Sequence, residues 1–567
     1  MGKGDQDSDA GGQQPVHDGA RRRLVLGAAG YTLLGSSAFG LVACGGGSAD
    51  IAEAQSERFG FGVASGDPLS DRVIIWTRVN VPTPAPTQVQ WDVASDGAFA
   101  NIVNTGSAAT SDAQDYTVKV DATGLRPGTV YFYRFRHGDR VSATGITRTL
   151  PTGGVSRVRI GVFSCAAYSL GQFHVYADAA RRGDIDVALH VGDYIYETGL
   201  TNAEQLAASA IGRKAEPQGE LVGLADYRRR HALYRTDSDL RAFHSTMPVI
   251  AVWDDHELIN DIWRDGAGGH QPDEGSFTAR RAAAAQAYHE WLPTRLPDPA
   301  DPLKIYRRFE FGTLATLHML DTRVIGRDAP ITRNDYLAGK AADPARQLLG
   351  ATQADWLTAG MQASQATWQV LGQQVVMGKM KLPQSVFDNF TEDSINEYLA
   401  AQGTPAASRT PQQQALITQP FIPYELNNWN GFEAAREKVL GTARALDKNL
   451  VVVSGDSHNA FGNNLTDASG TSVGVEFAGP SVTSTGLEIT HRDVGKGFLA
   501  DSFVRMMPDV KYAQTSDRGY LVVTLTPGEA RCEWMFVTSV LNNNFSVSLG
   551  QTLRTLPGSA NRALVAA

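Results

Sequence analysis

The chain has 567 residues, of which 42% are hydrophobic and 20% charged, and its formal net charge is −9. This length exceeds what one hydrophobic core supports, so we expect at least two domains, and the composition is that of a globular protein. The negative charge argues against a nucleic-acid partner, because phosphate backbones are bound by basic surfaces. The 57 glycines follow no Gly-X-Y period, which excludes a collagen-like chain.

Residues 1–44 have the pattern of an export signal. Arg21, Arg22 and Arg23 precede a weakly apolar stretch, dotted with glycines, that ends in Leu-Val-Ala-Cys at Cys44. Paired arginines before such a stretch are typical of substrates of the twin-arginine export machinery, and the glycines make the stretch a poor membrane-spanning helix. Because the sequence at Cys44 is similar to a lipobox, we predict a periplasmic or extracellular protein, with a lipid anchor to the membrane at Cys44 left open. Residues 45–57 are predicted to be a linker.

Residues 58–151 are predicted to form a small all-β domain. Short runs rich in β-branched and aromatic residues alternate with Gly, Asp and Pro, as in "DRVIIWTRV" (71–79) and "VYFYRFRHG" (130–138). The run "LRPGTVYFYRF" (125–135) is similar to a strand of fibronectin-like domains. We therefore predict a fibronectin-like β-sandwich with a structural or docking role.

Residues 155–545 have a different pattern, which is typical of an α/β domain. Apolar runs such as "RIGVFSC" (159–165) and "NLVVVSGDSH" (449–458) alternate with helical stretches such as "SFTARRAAAAQAYHEWL" (276–292). The last residues, 546–567, are predicted to be a C-terminal tail.

Four of these apolar runs end in side chains that can bind metal ions. A lone Asp or His at such a place is more often a helix cap or a satisfied polar residue. However, α/β proteins gather their chemistry at strand ends, and adjacent buried acids are costly unless they are paired or bound to a cation. Four such ends in one chain predict a multinuclear metal site. Its candidate residues are Cys165, Asp193, Tyr196, Asp255, His256, Asn260, Asp456 and His458.

The chain resembles the alkaline phosphatase D (PhoD) family, a branch of the calcineurin-like metallophosphoesterases, over nearly all of its length after the signal. The resemblance implies two mixed β-sheets flanked by helices, an alkaline phosphatase activity, and a pairing of Fe³⁺ with Ca²⁺ as cofactors. The motifs that carry it are "FSCAAY", "HVGDYIYE", "DYRRRHALYRTD", "VWDDHE", "LDTR", "VVVSGDSHNAF" and "EFAGPSVTS".

The candidate ligands divide between the two metals by their chemistry. Cys165, Tyr196 and His458 are suited to Fe³⁺, because anionic, electron-donating ligands stabilise the higher charge. For Tyr196 the alternative is a plain aromatic role at an interface. Oxygen donors favour Ca²⁺. The ligands predicted for Ca²⁺ are Asp193, as a bridge to the iron, with Asp255, Asn260 and Asp456.

Two further residues receive roles towards the substrate. His256 matches the histidine of the superfamily pattern GNH[DE] and is predicted to contact the phosphate or the leaving oxygen, with the support of a metal ligand as the alternative. Arg228 in "DYRRRH" is predicted to bind a phosphate oxygen, with an exposed helix arginine as the alternative. Cys165 is interpreted as a ligand and not as a nucleophile, because no arginine follows it in Cys-x5-Arg spacing. Pairing of Cys165 with Cys532 is left open.

These predictions combine into an exported phosphatase that hydrolyses phosphate monoesters by metal-activated water, with an alkaline optimum. The alternative on the same site is a phosphodiesterase or a phospholipase D-like esterase. A third interpretation is a cell-surface binding protein with a vestigial metal site.

Overall fold

The computed structural model describes residues 47–567, so the predicted export signal and Cys44 lie outside the described residues. The described chain begins with a helix, α1 (Ser48–Ser56), which buries Ile51 and Ala54. Most of the predicted linker is therefore helical. None of the helices between residues 47 and 567 has the length and the apolar character needed to span a bilayer.

The first eight strands form an all-antiparallel β domain. In one of them, Tyr131, Tyr133 and Phe135 alternate with more exposed residues and enter the core of this domain, because successive side chains of a strand point to opposite faces. The strands are β1 (Val63–Gly66), β2 (Val73–Arg78), β3 (Thr87–Ala94), β4 (Ile102–Thr110), β5 (Thr117–Ala122), β6 (Val130–His137), β7 (Arg140–Val141) and β8 (Gly145–Arg148). One sheet contains β3, β4, β6, β7 and β8, and β1, β2 and β5 pair separately.

The rest of the chain contributes the other strands, in two larger sheets and two short ribbons. They are β9 (Val158–Phe163), β10 (Val187–His190), β11 (Val249–Ala251), β12 (Ile262–Trp263), β13 (Gly266–Ala267), β14 (Arg307–Phe311), β15 (Ala315–Met319), β16 (Trp368–Gly372), β17 (Lys381–Pro383), β18 (Phe421–Pro423), β19 (Asn449–Ser454), β20 (Ala460–Thr466), β21 (Ser472–Ala478), β22 (Val510–Gln514), β23 (Arg518–Leu525), β24 (Ala530–Val537), β25 (Val547–Thr555) and β26 (Val565–Ala566).

Helices connect these strands. They are α2 (His174–Arg182), α3 (Asn202–Ala210), α4 (Leu224–Tyr234), α5 (Ser238–Thr246), α6 (Phe277–Trp291), α7 (Arg333–Leu337), α8 (Gly350–Ala363), α9 (Gln384–Asp388), α10 (Glu392–Gly403), α11 (Pro411–Thr418), α12 (Glu433–Ala445), α13 (Leu487–Thr490) and α14 (Lys496–Met506).

The large sheet has ten strands in the order β26-β25-β24-β23-β9-β10-β11-β1-β2-β5. Strands β9, β10 and β11 run parallel to one another, so their carboxyl ends meet at one edge. Strand β1 of the N-terminal domain pairs in parallel with β11. The N-terminal domain is therefore joined to the α/β part by main-chain hydrogen bonds and not only by a linker.

The second sheet has the order β14-β15-β16-β19-β21-β20-β22, with β15, β16, β19 and β21 parallel. Val451 and Val453 of β19 share a core with the large sheet, whereas Leu450 and Val452 pack with residues of α8 and α12. The layers are thus two mixed sheets face to face with helices outside them, preceded by the all-β domain. The predicted fold class is confirmed.

Residues 547–555, which the sequence assigned to a C-terminal tail, form β25 and pair with β24. The strand lacks an apolar alternation because it lies near the sheet edge, where Leu553 and Thr555 are its buried side chains. Cys165 and Cys532 are both free and buried, so the structure does not pair them.

Candidate metal centre

The predicted ligands lie where parallel strands of both sheets end. Cys165 follows β9, Asp193 follows β10, Asp255 follows β11, and Asp456 follows β19 of the second sheet. The turns approach each other closely. A Cβ on Gly192 would lie 2.4 Å from the Cβ of Asp254. This closeness brings side chains from distant parts of the chain into one buried cluster.

The backbone at these strand ends adopts a left-handed conformation that non-glycine residues rarely take. The φ angles are 60° at Cys165, 57° at Asp193, 60° at Asp456 and 58° at His458. Each costs roughly 1–2 kcal/mol, and less for Asp, and such strain is retained where the surroundings hold the residue in place. The Cys165 amide, for example, donates to the carbonyl of Gly192 over 3.1 Å.

The first group of candidate ligands contains Cys165, Asp193 and His458, whose donor atoms lie within 4.8 Å of one another. The Tyr196 hydroxyl lies between them, 2.9 Å from Asp193 Oδ2 and 3.2 Å from His458 Nε2. His458 Nδ1 lies 2.7 Å from the carbonyl oxygen of Thr485. Because a carbonyl can only accept, Nδ1 carries the hydrogen and Nε2 presents its lone pair to the group.

The loop that carries the motif "EFAGPSVTS" supports this first group. Ser484 Oγ lies 2.9 Å from the carbonyl oxygen of Cys165 and 2.7 Å from the hydroxyl of Tyr196. The Thr483 hydroxyl donates to the carbonyl of Ala167 over 2.8 Å. No role was predicted for this motif, and these contacts show that it positions the Cys165 turn and Tyr196.

The second group contains Asp193, Asp255 and His256. His256 Nδ1 lies 2.7 Å from Glu197 Oε2, and its ring centroid is 4.2 Å from that of Tyr196. Burial alone would lower the pKa of His256, but the charges of Glu197, Asp193 and Asp255 outweigh it and hold this pKa well above its ordinary value. Glu197 therefore orients His256, a role that the sequence did not assign.

The third group contains Asp254, Asp255 and Asp456, and a buried arginine contacts all three. Arg323 Nη2 lies 2.8 Å from Asp456 Oδ1 and 3.6 Å from Asp255 Oδ1, and Arg323 Nε donates to Asp254. Burial opposes the charge of Arg323, but these carboxylates raise its pKa further above its ordinary value. No role was predicted for Arg323, although its motif "LDTR" directly follows β15, as the other site motifs follow their strands.

Two of the predicted site residues, Asn260 and Arg228, have hydrogen-bond partners that their predicted roles do not include. Asn260 donates its backbone N–H to Glu197 over 2.7 Å and its side-chain amide to Asp261 over 3.2 Å, so its role as an oxygen ligand stays a prediction. Arg228 makes a two-fold ion pair with Glu290, at 2.7 Å for both bonds, and also donates to the carbonyl of Ala113. These partners are not candidate metal ligands, and the role of Arg228 towards a phosphate oxygen stays a prediction.

The residues present fit metal ions. Asp193 Oδ1 is buried and has no hydrogen-bond partner among the described residues, while Asp193 Oδ2 accepts from the Tyr196 hydroxyl. Burial and the charge of Asp193 raise the pKa of the Cys165 thiol well above its ordinary value, so a thiolate there needs a cation beside it. A carboxylate oxygen without a partner, beside sulfur, imidazole and phenol donors, is a donor set that a metal ion completes.

A two-sheet α/β core with buried carboxylate and histidine groups at its strand ends defines the class of α/β proteins with candidate metal-binding groups. Comparison with known proteins agrees with this class. Residues 160–534 match the PhoD-like phosphatase family, and residues 46–151 match the N-terminal domain of PhoD-like phosphatases. The chain belongs to the PhoD-like phosphatase family, and it is an enzyme of that class.

Individual relatives extend the match over most of the chain. Alkaline phosphatase D of Bacillus subtilis (strain 168) is 34% identical over 513 residues, which cover 86% of this chain and 79% of the relative. A solved structure described as "Structure of PhoD" superposes with a TM-score of 0.73 at 30% identity, covering 90% of this chain and 92% of the other. Both parts of the fold are thus shared with these relatives.

Proposed function

We propose that this phosphatase hydrolyses phosphate monoesters, with an alkaline optimum, using Fe³⁺ and Ca²⁺ bound by the buried groups. The observation that carries the proposal is the position of Asp193. It belongs to the first and the second group at once and offers a buried oxygen without a partner among the described residues. A carboxylate in that position can bridge two cations, because each of its oxygens has separate lone pairs.

Cys165, Tyr196 and His458 would hold the Fe³⁺. Their sulfur, phenol and imidazole donors converge on Asp193, and the Tyr196 hydroxyl is within 3.2 Å of His458. Such anionic donors favour a trivalent metal over a divalent one. Asp255, Asp456 and Asn260 would supply oxygens to the Ca²⁺, the oxygen-preferring cation of the pair.

When bound, the cations supply positive charge for the phosphoryl oxygens and lower the pKa of a bound water. The chain's own contribution is orientation. His256 donates a hydrogen bond from Nδ1 to the Glu197 carboxylate, and this orientation presents Nε2 to a phosphoryl or leaving-group oxygen. His256 is 6% exposed, which keeps this nitrogen away from bulk water.

The test is a comparison of two substrates with the purified, metal-loaded enzyme. We expect para-nitrophenyl phosphate to be hydrolysed faster than bis(para-nitrophenyl) phosphate, and we expect the rate on the monoester to rise from neutral to alkaline pH. Faster hydrolysis of the diester would establish the phosphodiesterase alternative. If neither ester were hydrolysed, the binding-protein interpretation would return. Asp193→Asn is the control for catalysis at this site.

We further propose that the enzyme is exported by the twin-arginine machinery to the periplasm or the cell exterior, with a lipid anchor at Cys44. The support is the order of features in residues 1–44, where Arg21, Arg22 and Arg23 precede the apolar stretch and Cys44 ends it. Replacing the three arginines by lysine should retain the protein inside the cell. Cys44→Ala should release exported protein from the membrane fraction, and unchanged fractionation of both variants would contradict the proposal.

A further inference from the structure

The third carboxylate group differs from the other two because it already contains a positive charge. Asp254, Asp255 and Asp456 bring carboxylate oxygens within 4.8 Å of one another in a buried place. Three such charges repel each other and are poorly solvated, so the group requires a counter-charge. Arg323 provides it, since its side chain is fully buried and contacts all three acids.

The contacts of Arg323 use one edge of its guanidinium. Nε and Nη2 donate to the two oxygens of Asp254, and Nη2 also donates to Asp456 over 2.8 Å. A two-point contact of this kind fixes orientation as well as charge. The guanidinium therefore occupies the place of a metal ion bonded to all three acids at once, since Ca²⁺ in proteins needs its oxygens at 2.3–2.6 Å.

The loop that carries Arg323 is itself held in place. Asp321 Oδ1 accepts the backbone N–H of Arg323 over 2.8 Å. Gln374 accepts from Thr322 and donates to the carbonyl of Trp253, which directly precedes Asp254. These hydrogen bonds connect the loop of Arg323 to the ends of β11 and β15. They fix the position of the Arg323 backbone beside the third group.

We propose that Arg323 is a permanent internal cation of the third carboxylate group. For this reason Asp254, Asp255 and Asp456 together hold no metal ion of their own, and Asp255 and Asp456 remain available to the neighbouring centre. The inference rests on the proposed metal-dependent function only for the role of that neighbouring centre. The experiment counts bound cations and uses no substrate. The inference about Arg323 can therefore fail while the proposed phosphatase function stands, and the proposed function can fail while the inference stands.

The experiment measures the number of Ca²⁺ ions per chain in purified Arg323→Met, which keeps the length of the side chain and removes its charge. After equilibration with Ca²⁺, elemental analysis should find one more Ca²⁺ per chain in this variant than in the wild type, since three acids without a counter-charge form a site for a divalent cation. Arg323→Lys keeps the charge and should bind the wild-type number. An unchanged number in folded Arg323→Met would overturn the proposal.

Arg327→Met is the matched control. Arg327 is also fully buried and lies four residues further along the same loop, but it donates to Thr322 and Asn427 and not to the third group. We expect the wild-type number of Ca²⁺ ions in this variant. An additional Ca²⁺ in Arg327→Met would show that any lost arginine produces the effect, and this would also overturn the proposal.

A second measurement applies if Arg323→Met does not fold even with Ca²⁺ present. Crystals of the wild type soaked in Mn²⁺ should show anomalous scattering at the first or second group and none bonded to Asp254, Asp255 and Asp456 together. A Mn²⁺ ion bonded to all three acids beside Arg323 would contradict the assignment.

Discussion

Asp193 is held at its backbone as well as at its carboxylate. Its N–H donates to Glu257 Oε2 over 3.0 Å, and the same oxygen accepts the N–H of Asp254 over 2.8 Å. Glu257 thereby ties the ends of β10 and β11 together. This arrangement fixes the distance between Asp193 and Asp254, which follow different strands.

Gly192 makes that approach possible, and its replacement gives the first prediction. Its φ is 114°, and a Cβ would lie 2.4 Å from Asp254 Cβ. Gly192→Ala should destabilise the fold by the strain of the left-handed backbone, about 1–2 kcal/mol, and by a further ~1–3 kcal/mol from the clash. Denaturant unfolding measures the total loss in the free energy of unfolding. Gly212→Ala, at φ 71° with open space around it, is the control for strain alone. Equal losses in the two variants would show that the clash is absent.

Cys165 and Cys532 give a matched pair for the second prediction. Cys165 and Cys532 are both buried, but only Cys165 lies among candidate ligands. Cys165→Ala should lose most of the bound iron, because the thiolate donor is removed, whereas Cys532→Ala should keep it. Iron content per chain is the measurement. Wild-type iron in Cys165→Ala would remove this residue from the metal-binding set.

At the residue scale, the sequence predicted the ligand types but not their contacts. Cys165, Asp193 and His458 follow apolar runs, and that position alone indicates a shared strand edge. Arg323 has the same position but was missed, because arginine is not a metal ligand. The partners of Arg228 were not predicted, because its motif does not show that Glu290 and the N-terminal domain lie beside that face of α4.

Among the secondary-structure elements, strands were predicted where the alternation of apolar residues is visible. Strand β4 contains Gly, Ser and Ala and is largely exposed, so its sequence does not favour a strand, although it pairs with β3 along its length. Strand β25 is also largely exposed and has no apolar alternation. Hydrogen bonds to a neighbouring strand keep β4 and β25 extended, and a single sequence does not show which strands pair.

Strand β25 provides the third prediction. Leu553 is 7% exposed and packs in the core of the large sheet, while Leu549 of the same strand is 52% exposed. Leu553→Ala should lower the free energy of unfolding by about 2–5 kcal/mol, the usual cost of a buried leucine. Leu549→Ala should change it by less than about 0.5 kcal/mol. If both variants had wild-type stability, residues 547–555 would be the tail that the sequence suggested.

For the whole molecule, the N-terminal domain is fastened to both large sheets. Strand β1 pairs with β11 of one sheet, and Asp67, which follows β1, makes a buried ion pair with Arg307 of the other. The two bonds of this pair measure 2.6 and 2.8 Å. The all-β domain therefore supports the strand ends that carry the site.

The Asp67–Arg307 pair gives the fourth prediction. Asp67→Ala should destabilise the protein by about 3–5 kcal/mol, because a buried arginine loses its partner. Asp71→Ala is the control. Asp71 pairs with Arg72 at the surface, where such a pair contributes only about 0–1 kcal/mol. Thermal unfolding compares the stability of Asp67→Ala with that of Asp71→Ala. Equal losses of stability in these variants would show that the buried Asp67–Arg307 pair does not join the domains.

The central claim is that Cys165, Asp193, Tyr196 and His458 surround one iron ion. The most direct measurement is elemental analysis of the protein as isolated, combined with its visible absorption spectrum. We predict iron together with calcium, and a coloured protein, because phenolate and thiolate bound to Fe³⁺ absorb visible light. A colourless protein that contains only zinc would contradict the account.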